Sequence, residues 1–365
     1  MIKYITLNFY LRSCLLVFLI LGLLMAGCVP KTSPTPTSVP LAKEITFYDW
    51  QEDMPQSVLD AFTEEYGVKV NYFIYESQEE AIANIKAGQI YDVVVMESRY
   101  IPLLVMDDLL AKLDEGILSN LKNLSANFRE LAYEPGNHYS NPYNWGTTGL
   151  VVRSDLVAGP VTRWADLWDP RYAGRNALWF GQRREVVGLA LKSLGYSANS
   201  EKREELEAAL ARLLDLKPNV IRIEDPNIHW PEDLANGKVV VAMGYASDVL
   251  LGQALNPLIT YVLPREGPLL WNDTFVIPAN SPNKHTAELF LNFLMRAEIN
   301  AKIVNENLYA TPNEAAYPFI KPDILNNPVI FPPNEDLINA ELILPLTQAG
   351  QQLYDEIWER FTNAP

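Results

Sequence analysis

From Glu44 to Met96, short β-prone runs alternate with amphipathic helical stretches, and few architectures accommodate that order. Glu44 to Tyr48 is β-prone; Pro55 to Tyr66 reads as a helix whose apolar stripe is Val58, Leu59 and Phe62; Val68 to Tyr75 is β-rich again. Gln78 to Ala87 gives a second helix, with Ala81, Ile82 and Ile85 on one face and Gly88 as its stop. Asp92 to Met96 then reads as a buried strand, Val93, Val94 and Val95 being consecutive. A helix between two strands carries the chain back to the starting edge, so the strands it joins run parallel. The pattern therefore predicts an α/β fold with a largely parallel sheet covered on both faces.

Later segments repeat the style. Gly149 to Val152, Asn176 to Trp179, Lys238 to Met243 and Thr274 to Ile277 read as strands, and Glu185 to Leu194 and Lys202 to Leu214 as helices. At 365 residues the chain exceeds one usual domain. No stretch within this body looks like a linker between consecutive domains. The expectation is two lobes joined by more than one chain crossing, with a hinge near Trp145 and Gly146. Lobe 1 is assigned residues 43–146 and about 273–312, and lobe 2 residues 147–272 and about 313–365.

The first forty residues carry an address. Lys3 and Arg12 give a positive start, Cys14 to Leu24 is almost wholly apolar, and Leu24, Met25, Ala26, Gly27 and Cys28 close with small residues before a cysteine. This is the three-part pattern of a secretory signal, and the apolar run is too short for a membrane span. The closing group resembles the lipobox of bacterial lipoproteins, with Met25 where that box usually has Leu. The resemblance implies that residues 1–27 are a lipoprotein signal peptide and Cys28 the acylated first residue of the mature chain, and the Pro/Ser/Thr-rich stretch through residue 42 reads as a semi-rigid tether. The expected location is the outer face of the cytoplasmic membrane, with the lipid as the sole membrane attachment. Cleavage removes Cys14 and lipid consumes Cys28, so no disulfide is possible and stability has to come from a large core. Loss of Lys3 and Arg12 moves the formal charge from −16 to −18. A body of that charge repels nucleic acid and attracts cations.

In open parallel sheets, ligands bind outside the carboxyl ends of the strands. That rule selects Asp49, Trp50, Gln51, Glu52 and Asp53 after the first strand, Glu97, Ser98, Arg99 and Tyr100 after the third, and Gly244, Tyr245, Ala246, Ser247 and Asp248 after a later one. Trp271, Asn272 and Asp273 precede the Thr274 strand, where a chain crossing would face the cleft. Each group combines an aromatic ring with a carboxylate, a mixture suited to a flexible organic cation. Carboxylates accept charge-assisted hydrogen bonds from ammonium groups, and indole or phenol faces cover methylenes.

Several runs together carry a resemblance: Phe47-Tyr48-Asp49-Trp50-Gln51-Glu52, Tyr91-Asp92-Val93-Val94-Val95, Pro142-Tyr143-Asn144-Trp145-Gly146, Trp164-Ala165-Asp166-Leu167-Trp168, Arg184-Glu185-Val186, Trp271-Asn272-Asp273 and Tyr309-Ala310-Thr311-Pro312-Asn313. With these the chain resembles the periplasmic polyamine-binding proteins that feed spermidine or putrescine to ABC transporters. The resemblance implies the two-lobed type II periplasmic-binding-protein fold, a monomer, a cationic amine as ligand, and permease and ATPase subunits as partners. It implies that Trp50 and Trp271 flank the methylene chain, that Glu185 and Asp273 receive ammonium groups, that Glu52 lies close by, and that Tyr245 and Tyr309 stand at aromatic cleft positions. Asp53, Glu97, Arg99, Gln182 and Asp248 complete the candidate set. Among these are departures from the family pattern. Gln182 replaces an acidic residue and Asp53 a tyrosine of the spermidine-binding members, while Glu97 and Arg99 replace small polar and aromatic residues. An arginine in an amine cleft has to pair with Glu97, point outward or meet an anionic group.

Two alternatives compete with polyamine capture. One keeps the binding fold and changes the ligand to another small amine or an amino-acid-like molecule, with Arg99 on its carboxylate. The other is an exported glycoside hydrolase drawing a carboxylate pair from Glu52, Glu97, Glu185 and Asp273. The sequence has no Gly-x-Ser-x-Gly elbow, His-Glu-x-x-His helix or phosphate-cradling Gly-rich loop. His138, His229 and His285 are scattered on polar segments. No cofactor, metal or catalytic residue is therefore assigned.

Overall fold

A computed structural model describes residues 39–51, 53–179, 181–223 and 230–364. The signal peptide, Cys28, Glu52 and His229 lie outside these residues. Ten strands are named: β1 (Glu44–Trp50), β2 (Lys69–Tyr75), β3 (Val93–Glu97), β4 (Ser140–Arg153), β5 (Asn176–Trp179), β6 (Val220–Ile223), β7 (Val241–Tyr245), β8 (Ile259–Val262), β9 (Leu269–Val276) and β10 (Glu341–Leu342). The α-helices are α1 (Gln56–Tyr66), α2 (Gln78–Lys86), α3 (Ile101–Met106), α4 (Arg183–Ser193), α5 (Arg203–Leu216), α6 (Trp230–Ala235), α7 (Ala246–Leu255), α8 (Lys284–Leu294), α9 (Ala297–Asn307), α10 (Pro322–Leu325) and α11 (Gln348–Asn363).

The expected alternation at the start of the body is present. Pro55, extended and unable to donate a backbone hydrogen bond, precedes α1, and Gly67 ends the helix at φ 68°, donating its N–H to the Thr63 carbonyl. Ser77 opens α2 by accepting a hydrogen bond from the Glu80 N–H. β1 lies between β2 and β3, parallel to both, with a helix in each connection. Alternate residues feed opposite faces: Ile45, Phe47, Val93 and Val95 join one core beneath α1 and α8, and Tyr48, Val94 and Met96 join another on the reverse side. The second half of the molecule repeats this with β5 parallel to β6 and β7. Leu150 and Val152 face the core closed by α4, α5 and α11, whereas Val151 points to the opposite layer.

Two long strands join the halves. The sheet order is β2-β1-β3-β9-β4-β7-β5-β6, with β8 added to β4 and β10 to β9. β4 pairs antiparallel with β9 from Ser140 opposite Val276 to Thr148 opposite Leu269, with a bulge between Pro142 and Asn144. At one end of this pair β9 meets β3, and at the other β4 meets β7. The architecture is thus the two-lobed α/β type.

β1, β3 and β7 run on to Trp50, Glu97 and Tyr245, so Asp49, Trp50, Glu97, Gly244 and Tyr245 close their strands and do not follow them, and two other strands are much longer than the apolar pattern suggests. The run expected at Gly149 to Val152 is the last third of a strand of 14 residues. The Thr274 strand begins at Leu269, so Trp271, Asn272 and Asp273 lie within it and not before it. Their neighbours Asn141, Asn144, Thr147, Thr148 and Asn272 are buried despite being polar. Hydrophobic periodicity carries no signal there, because the ladder partner supplies the backbone bonds that an apolar stripe otherwise announces.

Candidate functional site

Asp49, Asp53, Glu185 and Asp273 are buried carboxylates, and the Glu97 side chain is only 17 % exposed. They reach one another from both halves. Asp49 is the penultimate residue of β1, Asp53 lies just beyond the strand, Glu97 ends β3, Asp273 sits in β9 directly opposite both Glu97 and Asn144, and Glu185 occupies the first turn of α4. Their fields are linked: Asp53 and Asp273 act on Asp49, Glu97 and Asp53 on Asp273, and Glu97 on Glu185. Burial is the main cause that raises every one of these carboxyls above its ordinary range. Asp53 and Glu185 are pushed up to about 7, and Asp49, Glu97 and Asp273 are raised as well.

Each carboxylate is held by identifiable donors. Asp49 accepts from the Trp50 N–H at 2.7 Å and from the Tyr72 hydroxyl at 3.4 Å. Glu185 Oε2 accepts from the Thr148 hydroxyl at 2.9 Å and the Tyr245 hydroxyl at 3.0 Å, so β4 and β7 together orient it. Asn144 reaches Asp53 through Nδ2 at 3.5 Å. Asp273 keeps Oδ1 buried without a partner, and burial raises its carboxyl with only a minor opposing influence from the Trp50 indole. An orphaned carboxylate oxygen at 6 % exposure is an acceptor awaiting a donor.

Arg99 resolves the choice that the sequence leaves open. It points inward: its Nε lies 2.7 Å from Glu97 Oε2, its side chain is 12 % exposed, and its guanidinium stands 4.9 Å from the centre of the Tyr100 ring. Burial disfavours the charge, but Glu97, Tyr100 and Glu185 more than offset this and hold the group protonated.

Aromatic rings line the space beside these acids. Trp179, Tyr245, Trp271 and Tyr309 form a row of edge-to-face contacts with centroids 5.7, 5.9 and 5.6 Å apart in that order. Trp50 packs at 4.6 Å on Tyr75. Trp271 sits over Gly146, its partner in the β4 ladder, where any Cβ would collide with the indole. Ala310 bridges Trp145, its carbonyl accepting the Trp145 N–H at 2.9 Å, and so places Tyr309, whose hydroxyl lies 3.3 Å from that of Ser247.

The structure thus brings Trp50, Asp53, Glu97, Arg99, Glu185, Tyr245, Trp271, Asp273 and Tyr309 into one electrostatic and aromatic neighbourhood. Asp248 and Gln182 serve the backbone. Asp248 accepts the Tyr245 N–H at 2.8 Å at the start of α7, with burial raising its carboxyl to about 7. Gln182 precedes α4, its carbonyl accepting the Glu185 and Val186 N–H groups at 3.0 Å. Trp179 and Asn144 escaped the candidate set. Trp179 ends a parallel strand, so the strand-end rule was sufficient to find it. Asn144 depends on the β4–β9 register, which no local pattern encodes.

Residues 57–332 match the model of the bacterial extracellular solute-binding protein family. The chain is 35 % identical over 317 residues to the spermidine/putrescine-binding periplasmic protein of Escherichia coli, covering 86 % of this chain and 90 % of that protein. It is 31 % identical over 360 residues to the putrescine-binding periplasmic protein SpuD of Pseudomonas aeruginosa, covering 93 % and 96 % respectively. Among solved structures, the spermidine/putrescine ABC transporter substrate-binding protein PotD of Streptococcus pneumoniae superposes with a TM-score of 0.79 at 28 % identity, covering 88 % of this chain and 99 % of that one. Fold, cleft and relatives agree: the chain belongs to the bacterial extracellular solute-binding proteins, in the family of the spermidine/putrescine-binding periplasmic proteins.

Proposed function

We propose that this protein captures a polyamine between its lobes and delivers it to the permease of an ABC importer, without transforming it. The observation that carries the reading is the charge imbalance of the cleft: Asp49, Asp53, Glu97, Glu185 and Asp273 against the resident guanidinium of Arg99. Several desolvated carboxylates cannot all remain ionised side by side; they take up protons or a cation. An alkyl diamine supplies positive charge at both ends and an apolar middle. Its ammonium groups donate to Asp273 Oδ1 and Glu185, each charge-assisted bond being worth about 1.5–3 kcal/mol net. Its methylenes lie against Trp50 and Trp271, which add about 0.5–2 kcal/mol where they meet the charge.

In this reading the lobes comprise residues 43–146 with about 273–312 and 147–272 with about 313–365, and they close about the β4–β9 crossing near Trp145 and Gly146, expelling water and strengthening the charge contacts. Cys28 carries the lipid that tethers the body beside its permease, raising local concentration without a new contact. The carboxylates act as acceptors, not as a hydrolytic acid–base pair.

Calorimetric titration of the purified full chain with putrescine, spermidine and a panel of amino acids tests the ligand class. Saturable binding of a polyamine is expected. Binding of an amino acid with no response to either polyamine would defeat the reading. Membrane retention that is lost in Cys28→Ser, together with loss of metabolic fatty-acid labelling, checks the anchor.

A further inference from the structure

Resting on the polyamine reading, we infer that Arg99 is a built-in occupant of one cation position, and that it sets the cleft to prefer a diamine over a triamine. The guanidinium lies inside the acidic group, 2.7 Å from Glu97, and its field reaches both Glu185 and Asp273. Glu97 in turn faces Asp273 across the β3–β9 ladder. Arg99 is therefore a resident cation beside the Asp273 acceptor, on the side of the cleft formed by the end of β3.

An arginine cannot discard its proton in a protein, so this positive charge is permanent at any pH the molecule meets. Its side chain is 12 % exposed and is tied to its neighbour, so it cannot swing into bulk water without abandoning Glu97. Glu97 is thereby neutralised from within, and Asp273 and Glu185 remain as separated acceptors. With one cation position already filled on Glu97, the two acceptors that remain suit a ligand charged at its two ends and uncharged in its middle. A ligand with a third ammonium group between its ends brings that charge toward the guanidinium, where the low-dielectric surroundings leave the repulsion poorly screened. Selectivity obtained by placing a like charge against the unwanted ligand is the repulsive half of recognition. Gln182, neutral and half-buried before α4, adds no acid on the Glu185 side to offset it.

The test compares putrescine and spermidine affinities of the full chain and of Arg99→Gln, Arg99→Met and Arg99→Lys by calorimetry. The wild type is expected to favour putrescine. Arg99→Gln, or Arg99→Met should the first variant fold poorly, is expected to move the putrescine-to-spermidine affinity ratio at least tenfold toward spermidine. Arg99→Lys, which keeps the charge, is expected to retain the wild-type preference. If both amines bind and the ratio stays within twofold on removal of the guanidinium, the inference fails while the polyamine reading stands. If the wild type binds neither amine, the polyamine reading itself fails and takes this inference with it. If an amino-acid-type amine binds the wild type and is lost in Arg99→Gln with putrescine unaffected, Arg99 is a carboxylate receptor and the inference is overturned.

Discussion

Acidic residues are treated in opposite ways in two regions of this molecule. Where α5 packs beside α11, Glu207 and Glu356 pair with Arg360 and Arg203 at 2.6 and 3.1 Å, are about 40 % exposed, and have carboxyls lowered by the arginine hydrogen bonds. In the cleft, Asp49, Asp53, Glu97, Glu185 and Asp273 are desolvated, outnumber their resident cation and are raised. The surface acids are paired with arginines of the chain; of the cleft acids Glu97 has Arg99, while Asp49, Asp53 and Glu185 are held by neutral donors and Asp273 keeps one oxygen unpartnered. Stability and recognition thus use the same side chains, and their difference lies in whether the counter-charge belongs to the chain.

Asp273→Asn separates the two regimes most strongly. Polyamine affinity is expected to fall on the order of 100-fold, about 2.7 kcal/mol, while the ligand-free melting temperature holds or rises because a buried, partly unpaired carboxylate is removed. A variant that binds normally would show that the acceptor has been misplaced. Gly146→Ala tests the packing beneath the aromatic row. The added Cβ has to displace the Trp271 indole, so a loss of about 1–3 kcal/mol in stability by denaturant unfolding is expected, together with weaker polyamine binding.

The pH dependence follows with a definite sign. Asp53 and Glu185 titrate near 7 in the folded, ligand-free protein and near 4 when unfolded, so between those values the folded state holds more protons. Ligand-free stability is therefore expected to rise as pH falls from 8 toward 5, measured by thermal melts. Polyamine affinity should move the other way, dropping about tenfold from pH 8 to pH 6, because bound ammonium requires ionised carboxylates. Calorimetry in buffers of different ionisation enthalpy should detect protons released on binding. The smallest effect belongs to the surface. Arg360→Ala is expected to leave polyamine affinity unchanged and to lower the melting temperature slightly at low salt and not at high salt.

How much of this was legible beforehand depended on the range of the forces involved. The strands and helices from Glu44 to Glu97 are announced by apolar periodicity and by Pro55, Gly67 and Ser77, all local signals. The strand-end rule found Asp53, Glu97, Arg99 and Tyr245 because parallel topology alone fixes where strand termini gather. The full lengths of β4 and β9 were not visible, since Asn144, Thr147, Asn272 and Asp273 are polar residues buried by a partner more than a hundred positions away. The direction of Arg99 was also undetermined, because pairing with Glu97 is decided by how deeply the cleft buries both.

The crossing itself has a mechanical consequence. Two separate tethers between rigid bodies allow twisting, sliding and splaying independently, but β4 and β9 are laddered to each other from Ser140–Val276 to Thr148–Leu269. A laddered ribbon bends easily out of its own plane and resists slippage along its length, since a slip of one residue would reverse the facing of every side chain on it. Closure of the proposed lobes is therefore expected to follow essentially a single coordinate, with Trp271, opposite Gly146 on the ribbon, carried along as it bends.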